Sequence, residues 1–444
     1  MDYSNSHYSF NNLYPMEESI RKQLKALIMQ EVVLATGCTE PGAVALCVSK
    51  ACETLGKEPE KIEILLSKNV FKNAMGVGIP GTGMIGLPIA VALAVVAGDS
   101  RRGLEVLTLP ADKVEKGKVW LANNASRIAI GVKDPCDKLY IECICTAGND
   151  TSVAIISQRH THFIYIALND KVIFDGRDTS PLNEGPVHEG EDCPDELPLT
   201  ARLVYDYATT APIEELQFIN ETVKYNDAAA TEGLKGYGLK TGKILMENAA
   251  GDIVHTVVAR TVAASDARMD GCTLSVYSNS GSGNQGIACT LPVYNYGKAK
   301  GCSEEQITRA LVLNHLMSIY IKRGIGRLSA LCGIVNASIG VSCGIVYLHG
   351  GTFEQMCYAI KNMINTIAGM VCDGAKPSCA LKMSTGLYSA FVSAELAYHD
   401  CVVDATDGLS ESDVDCSIHN LGRLGHDGMD QVDDTVLDIM THKQ

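Results

Sequence analysis

The hydrophobic periodicity of the chain changes at a stretch rich in Pro, Gly and acidic residues near positions 185–200. Upstream of it, short runs alternate apolar and polar residues, which is typical of strands. These runs are KIEILLS, LEVLTL, KVWLA, RIAIGV, KLYIECICTAG, TSVAIISQ, THFIYIALND and KVIFDG. Downstream, apolar residues recur at helical spacing. A sheet region followed by a helical region predicts an α+β fold, with a mostly helical domain and a smaller mixed α/β sheet domain.

The same pattern divides the chain into four segments. They are a flexible tail at 1–15, two helices at 16–57 that pack with the C-terminal helical domain, a mixed α/β sheet domain at 58–200, and a helical domain at 201–444 that carries the candidate site. Between the two N-terminal helices, Gly37 is expected to end the first, and Pro41 is expected to lie in the first turn of the second.

Three further helices have their own sequence signals. The longest apolar run, residues 85–98, is shorter than the roughly 20 residues of a membrane span, so it is predicted to be a core helix with Pro88 in its first turn. Ser303 precedes a helical pattern with acidic residues in its first turn and is expected to cap that helix. Thr352 is expected to cap a helix that runs to Cys372.

Charge and cysteine usage limit the partners of the chain. The formal net charge is -15, and a protein this acidic repels nucleic-acid phosphates and anionic lipids, so neither is an expected partner. The 17 cysteines are scattered rather than arranged as a short disulfide framework. Together with a polar start that does not resemble a secretory leader, they predict a cytoplasmic protein with free thiols. Most of them are expected to be small core residues.

Three cysteines are distinguished by their position. Cys372 and Cys379 bracket a short loop, VCDGAKPSCALK, between two helical patterns, and Cys332 lies upstream in LSALCGIVNASIG. Three soft thiolates without a close histidine favour an iron–sulfur cluster over structural zinc, which takes four ligands. An iron that no side chain holds can act as a Lewis acid, which indicates a catalyst rather than an electron carrier. On spacing alone, the loop can instead be a turn between two core helices whose cysteines bind nothing. Spacing also allows Cys343 or Cys357, rather than Cys332, as the third ligand.

A fourth cysteine, Cys38, lies in the motif GCTEP, in the break between the two N-terminal helices. Backbone amides and the positive end of a helix dipole favour a thiolate at such a position, so its pKa is expected to be lowered. Cys38 is therefore a candidate base, nucleophile or ligand. A buried helix cap is the alternative interpretation.

Two glycine-rich loops, GIPGTGMIG at 78–86 and SNSGSGNQG at 278–286, can present backbone amides to an anion. Neither continues with the Gly-Lys-Ser/Thr of a nucleotide-binding loop, so a carboxylate is the favoured guest. Tight entry into a helix is the alternative for both loops.

Two basic side chains are also candidates for the site. His160, in RHTHF with His162, can hold a substrate carboxylate or a metal, and a structural role is the alternative. Lys382 and Ser384 follow Cys379 closely, so both are expected near any cluster. A solvated lysine is the default alternative for Lys382.

Taken together, six segments resemble those of the oxygen-sensitive iron–sulfur L-cysteine desulfidases, relatives of the iron–sulfur L-serine dehydratase alpha chains. The segments are GCTEP, KNAMGVGIPGTGMIGLPIA, RTVAASDARMDG, SNSGSGNQGI, RLSALCG and VCDGAKPSCALKMST. They occur in the same order and cover nearly the whole chain. The resemblance implies a 4Fe-4S cluster held by Cys332, Cys372 and Cys379, with Cys38 as the base at the substrate α-carbon. The substrate-binding residues that it implies are Lys72, Asn73, Gly81, Thr82, Ser278, Ser280 and Asn284. His160 and Lys382 complete the predicted set from the residues alone.

The implied reaction eliminates sulfide from L-cysteine to give pyruvate, ammonia and hydrogen sulfide without pyridoxal phosphate, with iron as the Lewis acid. The alternatives are an L-serine ammonia-lyase with the same cluster, a non-catalytic binding protein on the same scaffold, and a zinc-bound structural protein. Related serine dehydratases place a terminal cysteine on the cluster, whereas the last cysteine here is Cys416 and the chain ends DIMTHKQ. That tail ligand is therefore not expected. A homodimer is the oligomeric state that we consider.

Overall fold

The computed structural model describes residues 16–177, 197–326 and 328–442. The expected tail at 1–15 and most of the expected boundary at 185–200 lie outside these residues. Within them, helices dominate and a six-stranded sheet forms the smaller part, so the predicted α+β class is confirmed. The position of the domain boundaries stays a prediction.

The helical part is built on one continuous apolar core. Its helices are α1 (Glu18–Glu31) from the N-terminus, and then α6 (Ala201–Thr210), α7 (Ile213–Leu216), α8 (Glu221–Gly233), α9 (Thr241–Glu247), α10 (Ile253–Met269), α11 (Gly283–Ala299), α12 (Glu304–Ile325), α13 (Gly333–Leu348), α14 (Phe353–Ile367), α15 (Cys379–Tyr398), α16 (Val414–His426) and α17 (Asp430–Thr441). A two-stranded antiparallel pair, β1 (Leu34–Thr36) with β8 (Ser275–Tyr277), joins the N-terminal segment to this part.

The sheet has the strand order β3-β2-β4-β5-β6-β7. Its strands are β2 (Lys61–Leu66), β3 (Ile128–Val132), β4 (Tyr140–Ala147), β5 (Asp150–Ser157), β6 (Phe163–Leu168) and β7 (Lys171–Asp175). The β2–β3 pair is parallel, and the other four pairs are antiparallel. The six corresponding strand predictions are confirmed.

A second apolar core lies between this sheet and three helices, α2 (Thr39–Leu55), α4 (Leu87–Ala97) and α5 (Ala111–Asn124). Alternate residues of β2 and β4 enter it, as the period-2 pattern of a half-buried strand requires. The predicted core helix at 85–98 is α4, with Pro88 in its first turn. Of the two N-terminal helices expected to pack with the helical part, α1 does so, whereas the buried side chains of α2 belong to the sheet core.

Two strand predictions are wrong. KVWLA lies in helix α5, whose buried residues Val114, Gly117 and Leu121 have helical spacing. A Cβ atom at Gly117 would come 2.5 Å from the Leu93 side chain, so close packing on α4 selects the helix. LEVLTL lies largely in a 3-10 segment, Ser100–Leu107, in which two adjacent residues are buried instead of alternate ones.

Several helix ends also test the predictions. Helix α1 ends at Glu31 rather than at Gly37, because β1 occupies the intervening residues and pairs with β8. Ser303 and Thr352 both form capping boxes, as expected. Helix α14 ends at Ile367, before Cys372, and leaves the cysteine loop in extended and turn conformations. None of the described helices combines the length and apolar character that a bilayer crossing requires.

Candidate active site

One cavity of about 120 Å³ lies where the sheet part meets the helical part. It brings together eight of the residues predicted from the sequence: Cys38, Asn73, His160, Ser280, Asn284, Cys332, Cys372 and Cys379. These residues come from segments that are distant in the chain, so the cavity exists only in the folded protein. Its wall therefore contains both the candidate cluster ligands and the candidate base.

The three candidate cluster ligands all line this cavity. An isolated antiparallel bridge joins Leu331 to Val371, and it holds Cys332 and Cys372 on neighbouring segments. The Cys332 amide donates to Met370 and the Cys372 amide donates to Ala330, at 3.0 and 2.6 Å.

The third thiol belongs to Cys379, the first residue of α15, and its Sγ lies 3.6 Å from the carbonyl oxygen of Gly374. Burial, followed by the charges of Cys372 and Cys379, raises the pKa of the Cys332 thiol to about 12.

The donor set can be compared with what a metal or a cluster requires. Among the residues that the structure describes, no three His, Cys, Asp or Glu side chains converge closely enough to hold a single metal ion. A zinc ion needs such convergence on one point. A cubane spreads its thiolate ligands over separate iron atoms, so three cysteines that line one cavity suit a cluster better than zinc.

Four helices begin at the wall of the cavity. Cys38, Ser282 and Cys332 are the N-caps of α2, α11 and α13, and Cys379 opens α15. The first turn of each helix has backbone N–H groups without helical partners, and the dipole adds roughly half a positive charge there. The cavity can therefore stabilise a carboxylate and anionic sulfur although the whole chain is acidic.

The protonation of Cys38 differs from the expectation. Burial, and then the nearby carboxylate of Glu40, raise the pKa of Cys38 well above its usual value, whereas Arg268 opposes this shift only in part. The Cys38 thiol donates to Glu40 Oε2 at 3.0 Å. The expected lowering by the helix end is thus wrong, because burial and a neighbouring negative charge outweigh it.

Glu40 carries the negative charge of this pair. Burial alone would raise its pKa, but the charge of His160 and hydrogen bonds from Cys38 and Thr39 hold the pKa of Glu40 below its ordinary value. Thr39 Oγ1 donates to Glu40 Oε2 at 2.9 Å, and Asn73 Nδ2 donates to Oε1 at 3.0 Å. The pair therefore holds its proton on sulfur and its negative charge on the carboxylate.

The cavity also contains cationic side chains that the sequence analysis did not identify. Arg268, 5% exposed on α10, donates to the Gly37 carbonyl at 3.0 Å and to Asn284 Oδ1 at 3.4 Å. Its buried Nε has no hydrogen-bond partner within the described structure. Lys322, 8% exposed at the end of α12, lines the cavity as well. Arg268 lies within the motif RTVAASDARMDG. A charged residue among the small residues of this motif is the sequence signal that could have identified it as a site candidate.

Five predicted substrate-binding residues lie outside the lining of the cavity. Lys72 is 1% exposed and forms an ion pair with Asp433 of α17. Lys382 forms an ion pair with Asp373 and donates to the Val371 carbonyl at 2.6 Å, so it supports the cysteine loop.

The remaining three of these residues shape loops. Thr82 Oγ1 donates to the Ile79 carbonyl at 2.7 Å, and the Gly81 amide donates to Gly271 at 3.0 Å. Ser278 Oγ donates to the Val33 carbonyl at 2.8 Å, next to the β1–β8 pair. The first glycine-rich loop thus supports the fold in the described structure, and only the second reaches the cavity wall through Ser280 and Asn284.

The chain is similar to known proteins along most of its length. Residues 103–438 match the family model described as serine dehydratase alpha chain. The UPF0597 protein of Phocaeicola vulgatus is 54% identical over 433 residues, which cover 96% of this chain and 98% of that relative. The UPF0597 protein of Bacteroides thetaiotaomicron is 52% identical over 436 residues, which cover 96% and 99%. The UPF0597 protein of Porphyromonas gingivalis is 47% identical over 437 residues, which cover 97% and 100%.

Proposed function

The chain belongs to the serine dehydratase alpha chain family, and we propose that it is a pyridoxal-phosphate-independent lyase that releases sulfide from L-cysteine. The products are pyruvate, ammonia and hydrogen sulfide, and one water is consumed when the enamine product hydrolyses. The observation that carries this proposal is the single cavity that joins three thiols to the Cys38–Glu40 pair and to Arg268.

In this proposal a 4Fe-4S cluster is held by Cys332, Cys372 and Cys379. When bound, such a cluster supplies an iron without a protein ligand, which acts as a Lewis acid toward the leaving group. Burial raises the pKa of the Cys379 thiol, whereas Lys376, Lys382 and the start of α15 place positive charge near this sulfur and oppose that shift in part. This positive charge acts in the direction of the thiolate form that ligation requires.

The substrate carboxylate is proposed to bind at the cationic end of the cavity. Arg268 offers its unpaired Nε, and the first turns of α2 and α11 offer backbone N–H groups. Asn284 uses its side-chain carbonyl to accept from Arg268 and Ser265, so its amide can donate into the cavity. These donors fix one end of the amino acid and align its Cα–H bond.

The α-proton is proposed to move in a relay. Because burial favours the neutral thiol, Cys38 cannot rest as a free thiolate. Cys38 Sγ instead accepts the α-proton while its own proton passes to Glu40 across their 3.0 Å hydrogen bond. No exposed thiolate forms in this relay, and the negative charge moves from Glu40 toward the substrate.

The description of the matching family model favours L-serine as a second candidate substrate. The two substrates differ in the leaving group, so anaerobic assays of sulfide and pyruvate from each amino acid distinguish them. Turnover of neither, in protein with a full complement of iron and sulfide, would indicate a non-catalytic binding protein. Zinc in place of iron in anaerobically purified protein would indicate the structural alternative.

Substitution of a ligand tests the cluster assignment. Cys372→Ala is expected to remove the brown cluster absorbance and the turnover together, because a cluster with two thiolates is not retained. Cys357→Ala is the matched control, since Cys357 is a core thiol on α14 outside the cavity wall and was an equal candidate by spacing. Full absorbance in Cys372→Ala, or its loss only in Cys357→Ala, would overturn the assignment.

A further inference from the structure

A buried amide of the cavity wall has an unused acceptor. Gln285, in the first turn of α11, has no exposed surface and lines the cavity. Its Nε2 donates to Asn279 Oδ1 at 2.7 Å and to Ser318 Oγ at 3.2 Å. Its Oε1 is buried and has no hydrogen-bond partner within the described structure. A buried acceptor without a donor is costly, which points to a ligand that supplies one.

The orientation of this amide follows from its neighbours. Asn279 Nδ2 lies 3.1 Å from the backbone carbonyl of His315, which can only accept, so Asn279 must direct its amide nitrogen there and its Oδ1 toward Gln285. If the Gln285 amide were reversed, its Oε1 would face Asn279 Oδ1, and two acceptors would meet. Gln285 therefore keeps its Oε1 as the unpaired atom.

His315 completes the chain of hydrogen bonds behind Asn279. It is fully buried, and burial lowers its pKa to about 3, so the ring is neutral. Its Nδ1 accepts from Asn279 Nδ2 at 3.1 Å, which places the ring hydrogen on Nε2, 3.1 Å from Thr290 Oγ1. Thr290 Oγ1 in turn donates to the Gly286 carbonyl at 2.8 Å. Every member of this hydrogen-bond chain has a defined donor and acceptor role.

The free carbonyl lies beside the candidate cluster. A Cβ atom built on Gly333, the residue after Cys332, would lie 3.1 Å from Gln285 Oε1. The ligand that reaches this acceptor is therefore a hydrogen-bond donor close to the cluster thiols. The opposite requirement, donors for a carboxylate, is met by Arg268.

We propose that Gln285 binds the α-ammonium group of the substrate. The hydrogen-bond chain from His315 through Asn279 holds the Gln285 side-chain carbonyl in place. This assignment rests on the proposed function and adds the amine as a required feature of the substrate. It predicts that carboxylic acids without the amine bind poorly even when their size and their other groups are unchanged. Gln285 is thus a specificity residue, whereas Asn279 and His315 are positioning residues.

The test uses the cluster-loaded enzyme and two analogues of L-cysteine without a leaving group, L-alanine and propanoate, which differ only in the ammonium group and are assayed as competitors of L-cysteine turnover. Gln285→Met removes the acceptor and keeps the side-chain length. It is expected to raise the L-alanine inhibition constant about 10- to 100-fold and to leave that of propanoate nearly unchanged, as expected for the loss of a charge-assisted hydrogen bond. The KM of L-cysteine is expected to rise by a similar factor, and the cluster absorbance is expected to stay intact.

Asn314→Leu provides the matched control. Asn314, on α12, is also a fully buried amide whose side-chain carbonyl is unpaired within the described structure. Its Nδ2 donates to the backbone carbonyl of Cys289 at 2.7 Å, and it does not line the cavity. This variant should be less stable yet discriminate between L-alanine and propanoate as the wild type does. Asn279→Leu should reduce the discrimination with the cluster retained, because Gln285 loses the acceptor that orients it.

Three outcomes count against the proposal in different ways. Unchanged discrimination in Gln285→Met would overturn the ammonium assignment while leaving the lyase proposal standing. Unchanged discrimination between L-alanine and propanoate in Asn279→Leu would overturn the positioning role of the His315–Asn279 hydrogen-bond chain. Absence of any L-cysteine or L-serine turnover in the loaded wild type would overturn the proposed function itself, and the ammonium assignment with it, before any variant is compared.

Discussion

Replacement of Lys72 by Met should destabilise the protein strongly. The Lys72 side chain is 1% exposed, its partner Asp433 is 9% exposed, and the pair joins α3 (Lys68–Ala74) of the sheet part to α17 of the helical part. Removing one partner of a buried pair leaves an uncompensated buried charge, which costs about 3–5 kcal/mol. We therefore expect Lys72→Met to lower the free energy of unfolding by about that amount.

The same two helices provide the control. Lys68 of α3 is 32% exposed and forms ion pairs with Asp134 and Asp434, which are 61% and 58% exposed. Exposed pairs contribute roughly 0.2–1 kcal/mol, so Lys68→Met should change stability by less than about 1 kcal/mol. The double variant Lys72→Met/Asp433→Leu should recover most of the loss, because no buried charge remains in it.

Urea unfolding measures these differences through two probes. Trp120, the single tryptophan, lies on α5 and reports on the sheet part, and far-ultraviolet circular dichroism reports mainly on the helices. Equal losses in Lys72→Met and Lys68→Met, or no recovery in the double variant, would refute the argument. Full stability with no turnover in the double variant would instead support a direct role of Lys72 at the substrate.

Two further predictions concern the candidate site. Glu40→Gln is expected to retain the proposed cluster and to lower kcat about 10²- to 10⁴-fold, because the proposed proton relay from Cys38 loses its acceptor. Because the pKa of Glu40 is lowered from its ordinary value of 4.5, its carboxylate stays charged as pH falls. The acid limb of the wild-type kcat profile should therefore lie below pH 4.5, and an acid limb near neutrality would contradict the role of Glu40 as proton acceptor. Gly374→Ala should cost roughly 1–3 kcal/mol, because Gly374 has a φ of +91° and a Cβ atom there would lie 2.3 Å from the Lys72 carbonyl. Gly369→Ala, with nothing within 4 Å, is its control in the same urea assay, and equal effects of the two would contradict the packing argument.

The regular elements could be predicted where a pattern extends over enough residues. The strands from β2 to β7 have alternation or sustained β-branched content, and the capping boxes at Ser303 and Thr352 are local signals. KVWLA failed because five residues cannot separate a period of 2 from one of 3.6. Contact between Gly117 and Leu93, which the sequence does not display, decides that segment.

The site was predictable to the extent that its chemistry lies within short motifs. The cysteine loop and GCTEP each contain the thiols that are candidates for the chemistry, and the fold brings both motifs to one cavity. The direction of the Cys38 pKa shift was not predictable, because it depends on burial and on which way Glu40 points. Lys72 was predicted to bind the substrate but forms an ion pair with Asp433 instead. The sequence could not show this contact, because Asp433 lies on the last helix of the chain, far from Lys72.

The net charge of the chain constrains the kind of ligand that the cavity can hold. At -15, the protein repels anions at long range, and the positive helix ends and Arg268 act only within the site. An amino acid is a zwitterion without net charge, so the long-range field neither attracts nor excludes it. In the proposed binding mode its two charged groups meet different partners, Arg268 Nε as a donor and Gln285 Oε1 as an acceptor. Both atoms are buried and unpaired within the described structure. An acidic protein with such a divided cavity suits a small zwitterion better than a simple carboxylate.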